Sequence, residues 1–167
     1  LKGFAGFLVC ARCSLLDQTF GTLHQFIVDW SQVDHEIFVD FDAVEIPYYE
    51  NRFLWDEIRD IIAIKNLDVV VSAGPLIVID KLNLSSCNDG IRIKSVESIK
   101  NVIDYAYHIQ ARSLVIMSGA KPILEKWPTA KTNLVNSLND LCIYCLEKAT
   151  NYVLYLSLEP ADRDLEH

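Results

Sequence analysis

The chain's chemistry-bearing residues gather at the ends of apolar runs. Glu159 closes the run Leu154-Tyr155-Leu156-Ser157-Leu158 and is followed by Pro160. A carboxylate at the carboxyl end of a buried strand suits a divalent cation or general-base work. The competing reading is structural: Glu159 caps a neighbouring helix or pairs with Lys121 or Arg163. Glu45 occupies the same kind of place near the end of a second run, Phe41-Asp42-Ala43-Val44-Glu45-Ile46, which Pro47 closes. It is a second candidate catalytic group or a salt-bridge partner in the mouth of a site. Lys121 follows Ser118-Gly119-Ala120, so Ser118 and Lys121 are candidates to bind substrate, and Lys121 suits an anion. Asp162, Arg163, Asp164 and Glu166 read as a solvated loop.

Other groups carry less. Cys10-Ala-Arg-Cys13 and Cys142-Ile-Tyr-Cys145 are both C-x-x-C pairs. Roughly 130 residues separate them, against about 15–20 in zinc ribbons, so a shared zinc site is not expected. Five cysteines do not suit a closed disulfide framework. His24, His35 and His108 fall in helical patterns and read as structural or exposed. Leu165-Glu166-His167 is open to reading as a tag remnant. Neither a glycine-rich phosphate loop nor a G-x-S-x-G elbow occurs.

These residues need positioning elements, and the hydrophobic pattern supplies them. Apolar runs at Phe4–Cys10, Phe41–Ile46, Leu67–Ser72, Ser113–Met117 and Tyr152–Leu158 read as five strands. Between them, apolar residues recur every three or four positions. They mark helices through Leu23–Ile37, Phe53–Ile62, Val96–Tyr107 and Leu134–Cys145. Pro75 to Ile93 reads as one long connection, the kind that often carries function. Strand–helix alternation implies a parallel sheet in one domain over 1–167. Two architectures fit. One is an open doubly wound five-stranded sheet. The other is a (β/α)8 TIM barrel with only about five βα units present. The strand starts recur at roughly 37 residues, so eight units need roughly 300. The run ends after a strand with no helix to cover it, which favours the partial barrel.

The chain has 167 residues, 51% of them hydrophobic, and a net charge of −8. Disorder is excluded as the main state, and an acidic balance disfavours nucleic acid as a partner. No apolar run reaches the ~18 residues of a membrane span, and a signal peptide is not expected. The cytoplasmic compartment follows as the default expectation.

Phe41-Asp42-Ala43-Val44-Glu45-Ile46, Asn83-Leu84-Ser85-Ser86 with Arg92, and Leu156-Ser157-Leu158-Glu159-Pro160 occur in this order along the chain. Together they resemble the sugar phosphate isomerase/epimerase family, the xylose isomerase-like TIM barrels, the first segment being similar to that family's second strand. Asn83-Leu84-Ser85-Ser86 with Arg92, then Asp104-Tyr105-Ala106, resemble its next loop and helix. Ser113 to Gly119, Ser137-Leu138-Asn139-Asp140-Leu141 and Leu156-Ser157-Leu158-Glu159-Pro160 follow in family order. Asp162-Arg163-Asp164 is similar to a subgroup that continues in this way. The resemblance implies that Glu159 is the first ligand of a divalent metal, Mn, Mg or Zn. It implies a carbohydrate or sugar phosphate substrate, with a proton moved through an enediolate. Arg92 becomes a loop anchor or substrate contact. The family's further ligands, an Asp, a His and a second Glu, have no counterpart in the chain. Ala73 and Met117 stand where related multi-zinc endonucleases carry histidine, so that activity is not expected. Alternatives are a non-catalytic partial barrel, whose open edges call for a homo-oligomer, and a small-molecule-binding flavodoxin- or receiver-like domain.

Overall fold

The computed structural model describes residues 43–65 and 68–159. The expected first strand and first helix, with Cys10, Cys13, His24 and His35, lie outside these residues. So do Asp162, Arg163, Asp164 and Glu166.

Among these residues, four short strands form one parallel sheet: β1 (Ala43–Pro47), β2 (Asp68–Ser72), β3 (Ser113–Met117) and β4 (Tyr155–Glu159). Their order in the sheet is β1-β2-β3-β4, the order of the chain. The intervening helices are α1 (Trp55–Lys65), α2 (Gly74–Ile79), α3 (Asp89–His108) and α4 (Trp127–Lys148). The alternating side chains decide the architecture. Val44, Ile46, Val69, Val71, Leu114 and Ile116 are all buried under helices. Their neighbours on the other face, from Glu45 to Val115, are only half-buried. A doubly wound sheet covers both faces and reverses its strand order at a switch point. Sequential order with a helical layer on one face is the arrangement of a barrel wall.

Several elements differ from the sequence expectation. The connection from Pro75 to Ile93 is not one loop. It holds α2, with Pro75 in its first turn, where a missing N–H costs nothing. It also holds the first residues of α3. That helix starts seven residues before Val96 because Asn88 caps it: its Oδ1 accepts from the N–H groups of Gly90 (2.9 Å) and Ile91 (3.3 Å). Arg92 therefore stands on a helix and not in a loop. Helix α4 likewise begins at Trp127, ahead of Leu134, with Pro128 in its first turn. Phe53 lies in a 3-10 turn (Arg52–Leu54) before α1 and is 95% exposed, so it does not join the apolar face of that helix. The last strand starts at Tyr155, three residues after Tyr152.

Helices α2 and α3 end alike. Lys81 (φ 52°) and Gln110 (φ 62°) take the left-handed conformation. The next N–H then reaches back: Leu82 to the carbonyl of Ile77, and Ala111 to that of Ala106. This is the Schellman closure without glycine. It turns each chain back under the sheet and buries Leu82 and Ala111.

Tyr107 ties the helical layer to the last strand. Its hydroxyl donates to the Cys145 carbonyl (2.8 Å) and accepts from the Leu154 N–H (3.2 Å). Asp104 on α3 accepts from Tyr144 (3.0 Å) and pairs with Lys148 (2.8 Å) on α4. Burial pushes the Cys145 thiol up to about 11, and Cys145 behaves as a small core residue.

Candidate functional site

The parallel register aligns the sheet's inner face in rows. Glu45, Val70, Ser113 and Tyr155 share one row. Pro47, Ser72, Val115 and Ser157 share the next. Met117 and Glu159 pair beyond them, at the carboxyl end. Ligands of parallel α/β sheets bind at this end.

Glu159 is the last residue of β4, on this face and exposed. Glu45 is on the same face but is the third of five residues in β1, so it lines the wall and does not close the strand. The two carboxylates stand three strands apart. Among the described residues neither makes an ion pair. Lys121 is exposed in the segment after β3 and is also free of ion pairs among these residues. Arg92 donates to Asp89 on its own helix (Nη2–Oδ1 3.0 Å), which ties its guanidinium to the first turn of α3. The structure thus puts Ser118, Lys121 and Glu159 at one end of neighbouring strands, with Glu45 on the wall and Arg92 on the helical layer.

A polar clamp holds the turn that carries Ser118 and Lys121. Asn83 Oδ1 accepts from the Ser85 N–H (2.9 Å) and the Ser85 hydroxyl (2.8 Å). Asn83 Nδ2 donates to the Ala120 carbonyl (3.3 Å), and the Ser85 N–H also reaches the Ser118 carbonyl (3.3 Å). Gly119 is held at φ +97°, and a Cβ there would stand 2.6 Å from the Asn83 side chain and 2.7 Å from its Cα. Only glycine meets both demands. Asn83 is anchored in turn: its N–H donates to the buried Ser95 hydroxyl (2.7 Å), which donates to the Ile91 carbonyl (2.7 Å). On the other side, Ser137 donates to the Leu84 carbonyl (2.8 Å), and Asn133 to that of Ser86 (2.9 Å). In the sequence Asn83, Ser85 and Ser137 are legible as pattern, but not as one connected network. Partners separated by up to 53 positions leave no periodic signal.

No three His, Cys, Asp or Glu side chains converge among the described residues. A catalytic metal takes three protein ligands or more. Glu159 offers one. The described residues alone therefore do not make a metal site.

No protein-family model and no curated protein matches the chain by sequence. Solved structures match it by shape. A D-tagatose 3-epimerase-like protein superimposes with a TM-score of 0.59 at 22% identity, over 74% of this chain and 46% of its own. D-psicose 3-epimerase, solved in the presence of D-fructose, gives 0.57 at 12%, over 84% and 58%. The 3-keto-D-glucoside 4-epimerase YcjR from E. coli gives 0.55 at 14%, over 90% and 54%. The described residues have the fold of part of the barrel seen in these structures. The chain spans about half the length of these epimerase structures. Among the described residues, no helix of this barrel part is long and apolar enough to cross a membrane.

Proposed function

We propose that residues 1–167 form part of a single carbohydrate-converting barrel domain, a sugar epimerase or isomerase. The observation that carries this reading is the position of Glu159. It stands at the carboxyl end of β4, beside Met117 and across from the Ser118 turn, on a fold shared with sugar epimerase structures.

Placement supports the following assignment of roles. Glu159 presents its carboxylate to substrate or to a divalent ion, Mn, Mg or Zn, completed by groups beyond the described residues. Ser118 and Lys121 donate to substrate oxygens from the clamped turn. Glu45 contributes a carboxylate from the wall, and Arg92 steadies the loop side through α3. The reaction is removal and return of a proton on the carbon beside a sugar carbonyl, which positioned carboxylates accelerate typically by 10²- to 10⁴-fold.

The test uses the protein that carries this chain. It is incubated in D2O with D-fructose, D-tagatose or a ketose phosphate, in turn with Mn2+, Mg2+ and Zn2+. Deuterium appearing beside the carbonyl, followed by NMR, is the expected result. The Glu159→Gln variant should lose at least about 100-fold of that exchange. No exchange with any sugar and any metal overturns the proposal.

A further inference from the structure

We infer that Asn83 is a positioning residue, which sets the Ser118–Lys121 turn over the carboxyl end of the sheet and so controls how tightly sugar is held. The inference rests on the epimerase reading above for its substrate, but its geometry stands by itself.

Among the described residues, the Asn83 side chain braces its own loop as an acceptor and reaches the turn as a donor. Its amide has two jobs in opposite directions. The carbonyl oxygen holds Ser85, whose N–H in turn reaches the Ser118 carbonyl. The amide nitrogen holds the Ala120 carbonyl, one residue before Lys121. The turn between these points runs through Gly119, which lies flat against Asn83. The loop behind Asn83 cannot drift, because α3 holds it through Ser95 and α4 through Ser137 and Asn133. A rigid anchor, one two-ended amide and a glycine turn are the parts needed to fix a binding loop. A group that acts through the turn touches no reacting atom. Its loss weakens ground state and transition state alike, and so raises KM with kcat unchanged.

The experiment compares Asn83→Ala and Asn83→Asp with the parent in the intact protein. Asp keeps the acceptor for Ser85 and lacks the donor for Ala120. Hydrogen exchange at the Ser85 amide should accelerate at least tenfold in the Ala variant and stay near the parent rate in the Asp variant. Both variants should raise KM for the ketose about tenfold and leave kcat within twofold. Unchanged Ser85 exchange in Asn83→Ala overturns the clamp, whatever the enzyme's activity. Faster Ser85 exchange with unchanged KM overturns the positioning role. A fall in kcat at constant KM overturns it as well. The epimerase reading fails separately, on the parent protein, if no sugar exchanges deuterium. Retained exchange protection across α3 shows that a variant is folded. If Asn83→Ala lacks that protection, Asn83→Asp carries the KM comparison alone, and its unchanged KM overturns the proposal.

Discussion

The two faces of the sheet are built to different rules. On the helix side every strand residue of β1, β2 and β3 is apolar, and all six are buried. On the inner side the residues are mixed: Glu45 and Pro47 on β1, Ser72 on β2, Met117 on β3, Ser157 and Glu159 on β4. Exposure there rises toward β4, where Tyr155 is 73% exposed. The helix face is a packing surface, where removed volume is felt directly. The inner face tolerates polar groups because, among the described residues, it is only half-buried or exposed, and that makes it available for chemistry. The polar clamp around Asn83 lies where the two meet. Its serines are buried like core residues, yet it serves the loop end.

The sharpest way to break this contrast is to cut into the helix face. Ile116→Ala should destabilise by about 2–5 kcal/mol in denaturant titration, since Ile116 is fully buried. A loss no larger than that of an inner-face variant would end the distinction.

Alkaline titration gives the next largest effect. The Cys145 thiol is held up to about 11 by burial, above its ordinary value of 9.0. Between these values the unfolded chain loses a proton that the folded one keeps. Stability is therefore intact below about pH 9 and falls on the order of 2 kcal/mol by pH 11. The Tyr105 phenol, desolvated against Tyr49 and Tyr48, is also raised and adds to the fall at higher pH. Thermal melts from pH 8 to pH 11 check the sign. A rising melting temperature over that range contradicts it.

Ser137→Ala probes the junction. It leaves the Leu84 carbonyl without its buried donor and should cost about 1–2 kcal/mol. Repair by Ser137→Thr, which restores the hydroxyl, would sharpen the assignment.

The smallest effect belongs to the inner face. Glu45→Gln and Ser157→Ala should each change stability by less than about 0.5 kcal/mol. Any larger cost measured by chemical denaturation would place them in the core and not on a ligand face.

Much of the fold was legible because periodicity reports burial. Val69, Val71, Leu114 and Ile116 read as strands from their β-branched runs, and β3 spans the same five residues that the pattern marked. The helix starts were less legible. Asn88 and Pro128 set them through capping and first-turn geometry, outside the apolar repeat that the eye follows. Glu159 was readable as a strand-end carboxylate since it closes an apolar run. Glu45 read as standing near the end of a similar run but lies mid-strand, because β1 continues to Pro47. Arg92 looked like a loop residue until the Asn88 cap put it on α3.

By itself, the sequence determined the alternation of strand and helix, the apolar helix face and the carboxylate at the end of β4. Those follow from local propensity and from the period of side chains along one segment. Only the tertiary structure decided the sheet order, the side of the sheet that the described helices leave uncovered, and the clamp from Asn83 and Ser85 to Ala120 and Ser118. These depend on contacts between segments tens of residues apart. A hydrogen bond between distant side chains and carbonyls is chosen by the packing that brings them together, not by spacing in the chain.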